Sequence, residues 1–199
     1  SKRFVGTGDQ FFVVWIAFAN LETTISHRGT RVGSIYSFRS DPRVAPVLAS
    51  AGFDILSIAN NHIWDYGQVA FIDTLDHVKR AGMAYVGGGM NSDEAHAGVI
   101  KNIRGTTIGF LAYTDLLPKG VSATPTRPGV SFMTIEQVQT DIRALRPHVD
   151  LADCGHGLFL HPSGFQSFKN NSPQLIIRSS SAWYIYVREP PFTELQIEI

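Results

Sequence analysis

The residues best suited to chemistry stand together in Ala59-Asn60-Asn61-His62. They close the run Asp54 to His62, whose Ile55, Leu56, Ile58 and Ala59 read as a strand covered on both faces. In open α/β sheets a site lies just outside the carboxyl ends of the strands. Amide oxygens and an imidazole at such a place are poor core material, and both bind divalent transition metals. The same residues also suit a plain structural role, because asparagines shape turns and a histidine can be a satisfied polar group. Spacing alone leaves both readings open.

Other candidates are scattered along the chain. Asp9 follows a candidate strand and either bridges metals or caps a turn. Glu22, in Asn20-Leu21-Glu22, follows the apolar run Phe12 to Ala19 and is either a ligand or solvated surface. His161, before Pro162, is a further candidate ligand. Gly87-Gly88-Gly89 could bring backbone amides to an anion, but it lacks the helix-opening pattern of a phosphate loop and reads mainly as a tight turn. Asp65 reads as a helix cap, with Gln68 as its capping-box partner. His27, His77, His96 and His148 read as solvated. No Gly-x-Ser-x-Gly elbow is present, and Cys154 reads as an inert buried thiol with no papain-like signature.

The elements that must position these residues follow from hydrophobic periodicity. Lys2 to Val5 and Gln10 to Ile16 read as strands broken at Gly6-Thr-Gly8. A helix capped by Asp41, with Pro42 at its first position, has Val44, Val47, Leu48 and Ala51 on its apolar face and ends at Gly52. A second helix repeats Val69, Ile72, Leu75 and Val78 and stops at Gly82. Met83 to Val86 is a strand. Val99 to Ile103 and Thr107 to Tyr113 form a hairpin about Arg104-Gly105. Thr134 and Gln137 open a last helix through Ile135, Val138, Ile142 and Leu145. Val149 to Leu151, Leu175 to Arg178 and Glu194 to Ile199 read as strands.

The alternation of strand and helix, with a hairpin between, indicates an α/β or α+β layered domain. At 199 residues, 44% apolar, residues 1–199 read as one domain with a sizeable core. Seventeen basic and 17 acidic residues balance, so no basic stripe marks a nucleic-acid groove. No apolar run reaches the roughly 20 residues of a transmembrane helix.

Taken in order, the motifs resemble the CapA-type capsule-synthesis family, also called poly-γ-glutamate biosynthesis proteins of the PgsA type, related to calcineurin-like metallophosphatases. The matching stretches are Gly8-Asp9, Ala19-Asn-Leu-Glu-Thr23 and Gly52-Phe-Asp-Ile-Leu-Ser-Ile-Ala-Asn-Asn-His-Ile-Trp-Asp-Tyr-Gly67. Asp73-Thr-Leu75, Gly87-Gly-Gly-Met-Asn91 with Glu94-Ala95, and Ile108-Gly-Phe-Leu-Ala-Tyr-Thr114 follow. The resemblance covers about residues 4 to 150. It implies a metallophosphatase-like αββα sandwich of mixed sheets and a site of two divalent metals, Mn, Fe or Zn. It implies Asp9, Glu22, Asn61 and His161 as metal ligands and His62 as the catalytic or phosphate-facing group. Asn60, Gly88 and Gly89 would then face substrate. The Asp-x-His of metallophosphatases reads Asp9-Gln10-Phe11 here, so one histidine is absent.

The C-terminal part departs from the family pattern. No His-Trp-Gly-x-Glu-Tyr segment follows His148-Val149-Asp150, and Leu151 to Gly155 looks like a later Gly-Ala-Asp region. The family's His-Pro-His reads His161-Pro162-Ser163, and Ser179-Ser-Ser-Ala-Trp183 replaces its Ser-Leu-Gly-Asn-Phe. The chain reads as though a stretch were absent between Asp150 and Leu151.

Two functions are implied. One is a metal-dependent hydrolase acting on a phosphoester or an anionic polymer in capsule or poly-γ-glutamate biosynthesis. The other is a non-catalytic polyanion-binding component of the capsule machinery. The resemblance places either one outside the cytoplasm or at the cell surface, with a cytoplasmic location still open. If a stretch is absent near residue 150, the natural protein has an intact mass above 21.9 kDa, whereas a measured 21.9 kDa refutes the omission.

Overall fold

The computed structural model describes residues 16–32, 35–103, 105–116 and 120–150 with their side chains. Outside them it describes only the backbone of six strands. The elements are β1 Arg3–Thr7, β2 Gln10–Val14, β3 Phe18–Asn20, β4 Thr24–Ile25, β5 Arg39–Ser40, α1 Val44–Ser50, β6 Ile55–Ser57 and α2 Gly67–Arg80. Then come β7 Ala84–Val86, β8 Gly88–Gly89, α3 Ser92–His96, β9 Val99–Ile103, β10 Thr106–Tyr113, β11 Gly129–Val130, α4 Ile135–Leu145 and a 3-10 turn at Arg146–His148. β12 Gly157–His161, β13 Gly164–Phe168, β14 Gln174–Arg178 and β15 Trp183–Val187 complete the order.

Two sheets form the frame. One is parallel, ordered β3-β6-β7, with Phe18 opposite Ile55 and Ile55 opposite Ala84. Its β6-to-β7 connection runs through α2, as a parallel pair requires. The other is antiparallel, ordered β14-β15-β10-β9, with the expected hairpin at β9–β10 and Gly105 at positive φ.

Side-chain alternation gives the layer order. Ile55 belongs to one apolar cluster with Phe110, Ala112 and Val138, while Leu56 belongs to another with Phe71, Leu75 and Val78. Adjacent residues on a strand point to opposite faces, so β6 is covered by α2 on one side and by the antiparallel sheet on the other. Phe110 stacks on Phe18 at 5.8 Å across the sheets. Gly109 faces the other way, where a Cβ would lie 2.4 Å from a Leu145 methyl on α4. The layers are therefore α1 and α2, parallel sheet, antiparallel sheet, α4: an α/β protein with αββα order among the described residues.

Several expectations need correction. Asp65 does not cap α2, whose N-cap is Tyr66 with no side-chain cap bond. Asp41 accepts from the Arg43 amide at 2.8 Å, but α1 begins later, at Val44. The helix faces hold in part, with Leu75, Val78, Val138 and Leu145 buried as expected. Val47, Val69 and Ile135 are exposed, and Ala45, Phe71 and Asp141 are buried instead. Residues 149 and 150 form a bend after the 3-10 turn rather than the start of a strand. The Glu194–Ile199 strand lies outside the described residues.

His96 is not a solvated side chain. Its Nδ1 lies 2.7 Å from Asp141 Oδ2, and Asp141 also accepts from the Tyr113 hydroxyl at 2.8 Å and Gln137 Nε2 at 2.7 Å. Burial first, then the nearby Asp141 charge, pushes the Tyr113 hydroxyl well above its ordinary value, so it stays a donor. This cluster joins α3, β10 and α4. An Asp141→Ala substitution leaves buried donors unsatisfied and is expected to cost about 2–4 kcal/mol of stability in urea unfolding, with Asp141→Asn costing less.

Candidate functional site

The site is built at the end of the parallel sheet. β3 and β6 finish in register, Asn20 opposite Ser57, and Leu21 N donates to Ser57 O at 2.9 Å. The chain then leaves both strands at one edge, which brings Asn20 to Glu22 beside Ile58 to His62. The strand itself covers three residues, and the stretch from Ile58 to His62 is irregular.

Asn60 locks this arrangement. It is fully buried. Its Nδ2 donates to Asn20 Oδ1 at 3.0 Å and to Leu21 O at 2.9 Å. Its Oδ1 accepts from the amides of His62 at 3.0 Å and Ile63 at 2.9 Å. An asparagine amide has two donor hydrogens and two acceptor lone pairs, and Asn60 commits all four inside the protein. Asn20 Nδ2 in turn donates to Glu22 Oε2. Glu22 is thus tied to His62 through Asn20 and Asn60.

Asn61 is the opposite case. Its Oδ1 is buried and has no hydrogen-bond partner. A buried acceptor without a donor costs about 1–3 kcal/mol, so such a group is rare and calls for an explanation. A divalent cation is the partner an amide oxygen takes without a proton. An amide oxygen suits such an ion, and a carboxylate, Glu22, and an imidazole, His62, are carried by the adjoining segments.

His62 is oriented by two contacts that sequence reading did not assign. Its Nδ1 lies 2.9 Å from Asp65 Oδ2, with 17% and 5% of the two side chains exposed. A carboxylate only accepts, so Nδ1–H donates and Nε2 is the nitrogen left to act. The same Oδ2 accepts from Phe38 N at 2.7 Å, and the Phe38 ring packs on the imidazole at 4.5 Å. The signal available in the sequence was the three-residue spacing of His62 and Asp65.

Gly88 and Gly89 are buried as β8, paired with β11. A Cβ on Gly88 would meet Ile58 Cδ1 at 2.7 Å, and one on Gly89 would meet Glu94 Cβ at 2.4 Å. Close packing therefore explains both glycines. Asp9 and the side chain of His161 lie outside the described residues. Among the described residues, no three His, Cys, Asp or Glu side chains converge as a metal cluster.

The bacterial capsule synthesis protein PGA_cap family matches residues 14–153. The chain belongs to that family. Its match stops where the sequence departs from the family pattern. The chain is 39% identical over 79 residues to the capsule biosynthesis protein CapA of Bacillus anthracis, covering 40% of this chain and 19% of that one. It is 32% identical over 106 residues to the PGA biosynthesis protein CapA of Bacillus subtilis, covering 53% and 28%. A probable polyglutamine synthesis accessory protein of Mycobacterium tuberculosis is 28% identical over 132 residues, covering 64% and 34%. The chain spans between 19% and 34% of the length of these relatives.

The contrast between neighbouring asparagines is testable without any ligand. Asn60→Ala is expected to destabilise by about 2–4 kcal/mol, since it leaves Asn20, Leu21 and two amides unpaired. Asn61→Ala in metal-free protein is expected to leave stability unchanged or raise it by up to about 1–3 kcal/mol, because it removes a buried acceptor that has no partner. Paired urea unfolding curves would separate them.

Proposed function

We propose that this capsule-family chain carries a metal-dependent hydrolase site that acts on a phosphoester or an amide-linked polyanion in capsule or poly-γ-glutamate biosynthesis. The observation that supports it is the unpartnered Asn61 carbonyl at a strand end next to a histidine oriented by a carboxylate. Asn61 and Glu22 would hold a divalent ion, Mn, Fe or Zn, with Asp9 and His161 as the further ligands that the family pattern implies. When bound, such ions supply Lewis acidity and neutralise negative charge at the scissile centre.

The chain's own groups have separable tasks. Asn60 holds the turn and keeps its neighbours in place. Asp65 fixes the His62 tautomer, and Phe38 restricts the ring. Nε2 of His62 would hold or give a proton at the oxygen or nitrogen that leaves. We place this activity outside the cytoplasm or at the cell surface, as suits a protein of capsule synthesis. No helix among the described residues is long and apolar enough to cross a membrane.

A second reading, polyanion binding without turnover, draws on the altered C-terminal motifs, where Ser163 stands in the place of a histidine. Elemental analysis of protein purified without chelator, followed by model phosphoester assays, decides between them. The hydrolase reading predicts bound metal, reduced retention in Asn61→Ala, and a loss of turnover of about a hundredfold or more in His62→Ala. Absence of both metal and turnover, with polyglutamate binding that persists in an Asn61→Ala/His62→Ala double variant, would establish the second.

A further inference from the structure

The described residues between Arg28 and Arg39 are anchored partly to β4, where Thr24 Oγ1 donates to Phe38 O at 3.2 Å and Thr24 pairs with Arg39, and partly to the residues around His62. Gly29 adopts φ +85°, and a Cβ there would lie 2.2 Å from the Tyr66 carbonyl oxygen. Val32 N donates to Asp65 O at 3.0 Å, and Phe38 N donates to the Asp65 carboxylate at 2.7 Å. Arg28 Nε donates to Asp73 Oδ2 at 2.9 Å. The Arg28 guanidinium holds the Asp73 carboxyl below its usual range, against the opposing effect of burial. Finally, the Arg39 guanidinium lies 4.3 Å above the Tyr66 ring. Asp65, Tyr66 and Asp73 receive these anchors, so residues 28–32 and 35–39 are held as a lip beside the turn that carries His62.

Its outward groups are of two kinds. Ile35 is 81% exposed and Tyr36 68% exposed. Among the arginines, Arg28 pairs with Asp73 and nearby Arg43 pairs with Asp41. Arg31 is used within the lip, donating to Ser37 Oγ at 2.9 Å. Arg39 meets no carboxylate among the described residues. It directly follows Phe38, whose ring touches the imidazole. An exposed guanidinium laid on an aromatic face keeps its edge donors free for a planar anion.

We infer that Arg39, held on Tyr66, is a specificity-determining residue of the His62 site. It takes a carboxylate of a polymeric acidic substrate, while Ile35 and Tyr36 lie against the apolar spacer between carboxylates. A free phosphate would use the guanidinium but not these apolar groups. The inference rests on the polyanion branch of the function proposed above.

Calorimetric titration of the chain with poly-γ-glutamate at low salt tests it, with inorganic phosphate as a second ligand. Arg39→Ala is expected to weaken polymer binding about tenfold or more and to flatten its salt dependence, because a charge-assisted bidentate pair is lost. Arg39→Lys keeps the charge but not the planar fork, so an intermediate loss is expected. Arg43→Ala, an exposed arginine already paired, is expected to stay within about twofold of wild type. Polymer binding by wild type that is unchanged in Arg39→Ala would overturn the assignment and leave the proposed function standing. So would phosphate binding as tightly as the polymer. Wild type that retains metal and hydrolyses phosphoesters yet binds no polymer would overturn the polymer assignment alone, while loss of metal, turnover and binding together would overturn both.

Discussion

The side chain of Asn60 is the constraint on which the site depends. Four hydrogen bonds, two to the end of β3 and two to the turn after β6, join elements that the chain separates by about 40 residues. Each such bond contributes about 0.5–1.5 kcal/mol when made, but leaving any of these groups buried and unpaired costs more. The turn is therefore not free to choose another path. With Asn60 pinned inward, Asn61 and His62 are placed at the strand end, and Glu22 is held close by the Asn20 bridge.

A second constraint starts from Asp65. One carboxylate oxygen serves both the imidazole of His62 and the amide of Phe38. The orientation of the histidine and the position of the lip are thus set by the same atom. Change at the lip is transmitted to the ring by direct contact, without any long-range path. Asn61 stands apart from this economy of bonds. Its unsatisfied oxygen is a local cost in a region otherwise well paired, and sites of binding are where such costs are tolerated.

Much of the frame was legible in the sequence because it rests on local rules. The apolar run at Ile55 to Ala59 announced a strand buried on both faces, and Leu56 and Ile55 do face different layers. The Arg104-Gly105 hairpin and the Thr134 cap followed from turn and cap chemistry. The helix faces were legible at Leu75, Val78, Val138 and Leu145 but missed at Val47, Val69 and Ile135, since periodicity does not say which apolar side chain a neighbouring layer will cover. The roles of Asp65 and His96 were missed for a different reason. A helix-cap signature was a cheaper local explanation for Asp65, and the partner of His96, Asp141, lies 45 residues away in sequence. Such pairings are made by tertiary packing. Of the candidate site, Asn61 and His62 were legible as chemistry, while Asn60 could not be told from its neighbour until its four partners were placed.

The unpartnered oxygen of Asn61 is the group on which the proposed metal binding at this site depends. A crystal structure of the protein grown with Mn²⁺ tests it most directly. It is predicted to show an ion bound by Asn61 Oδ1 and the Glu22 carboxylate, with Asp9 and His161 completing its ligands and His62 Nδ1 still on Asp65. A structure in which Asn61 Oδ1 accepts from a protein donor, with no ion at the end of β6 at saturating metal, would contradict it.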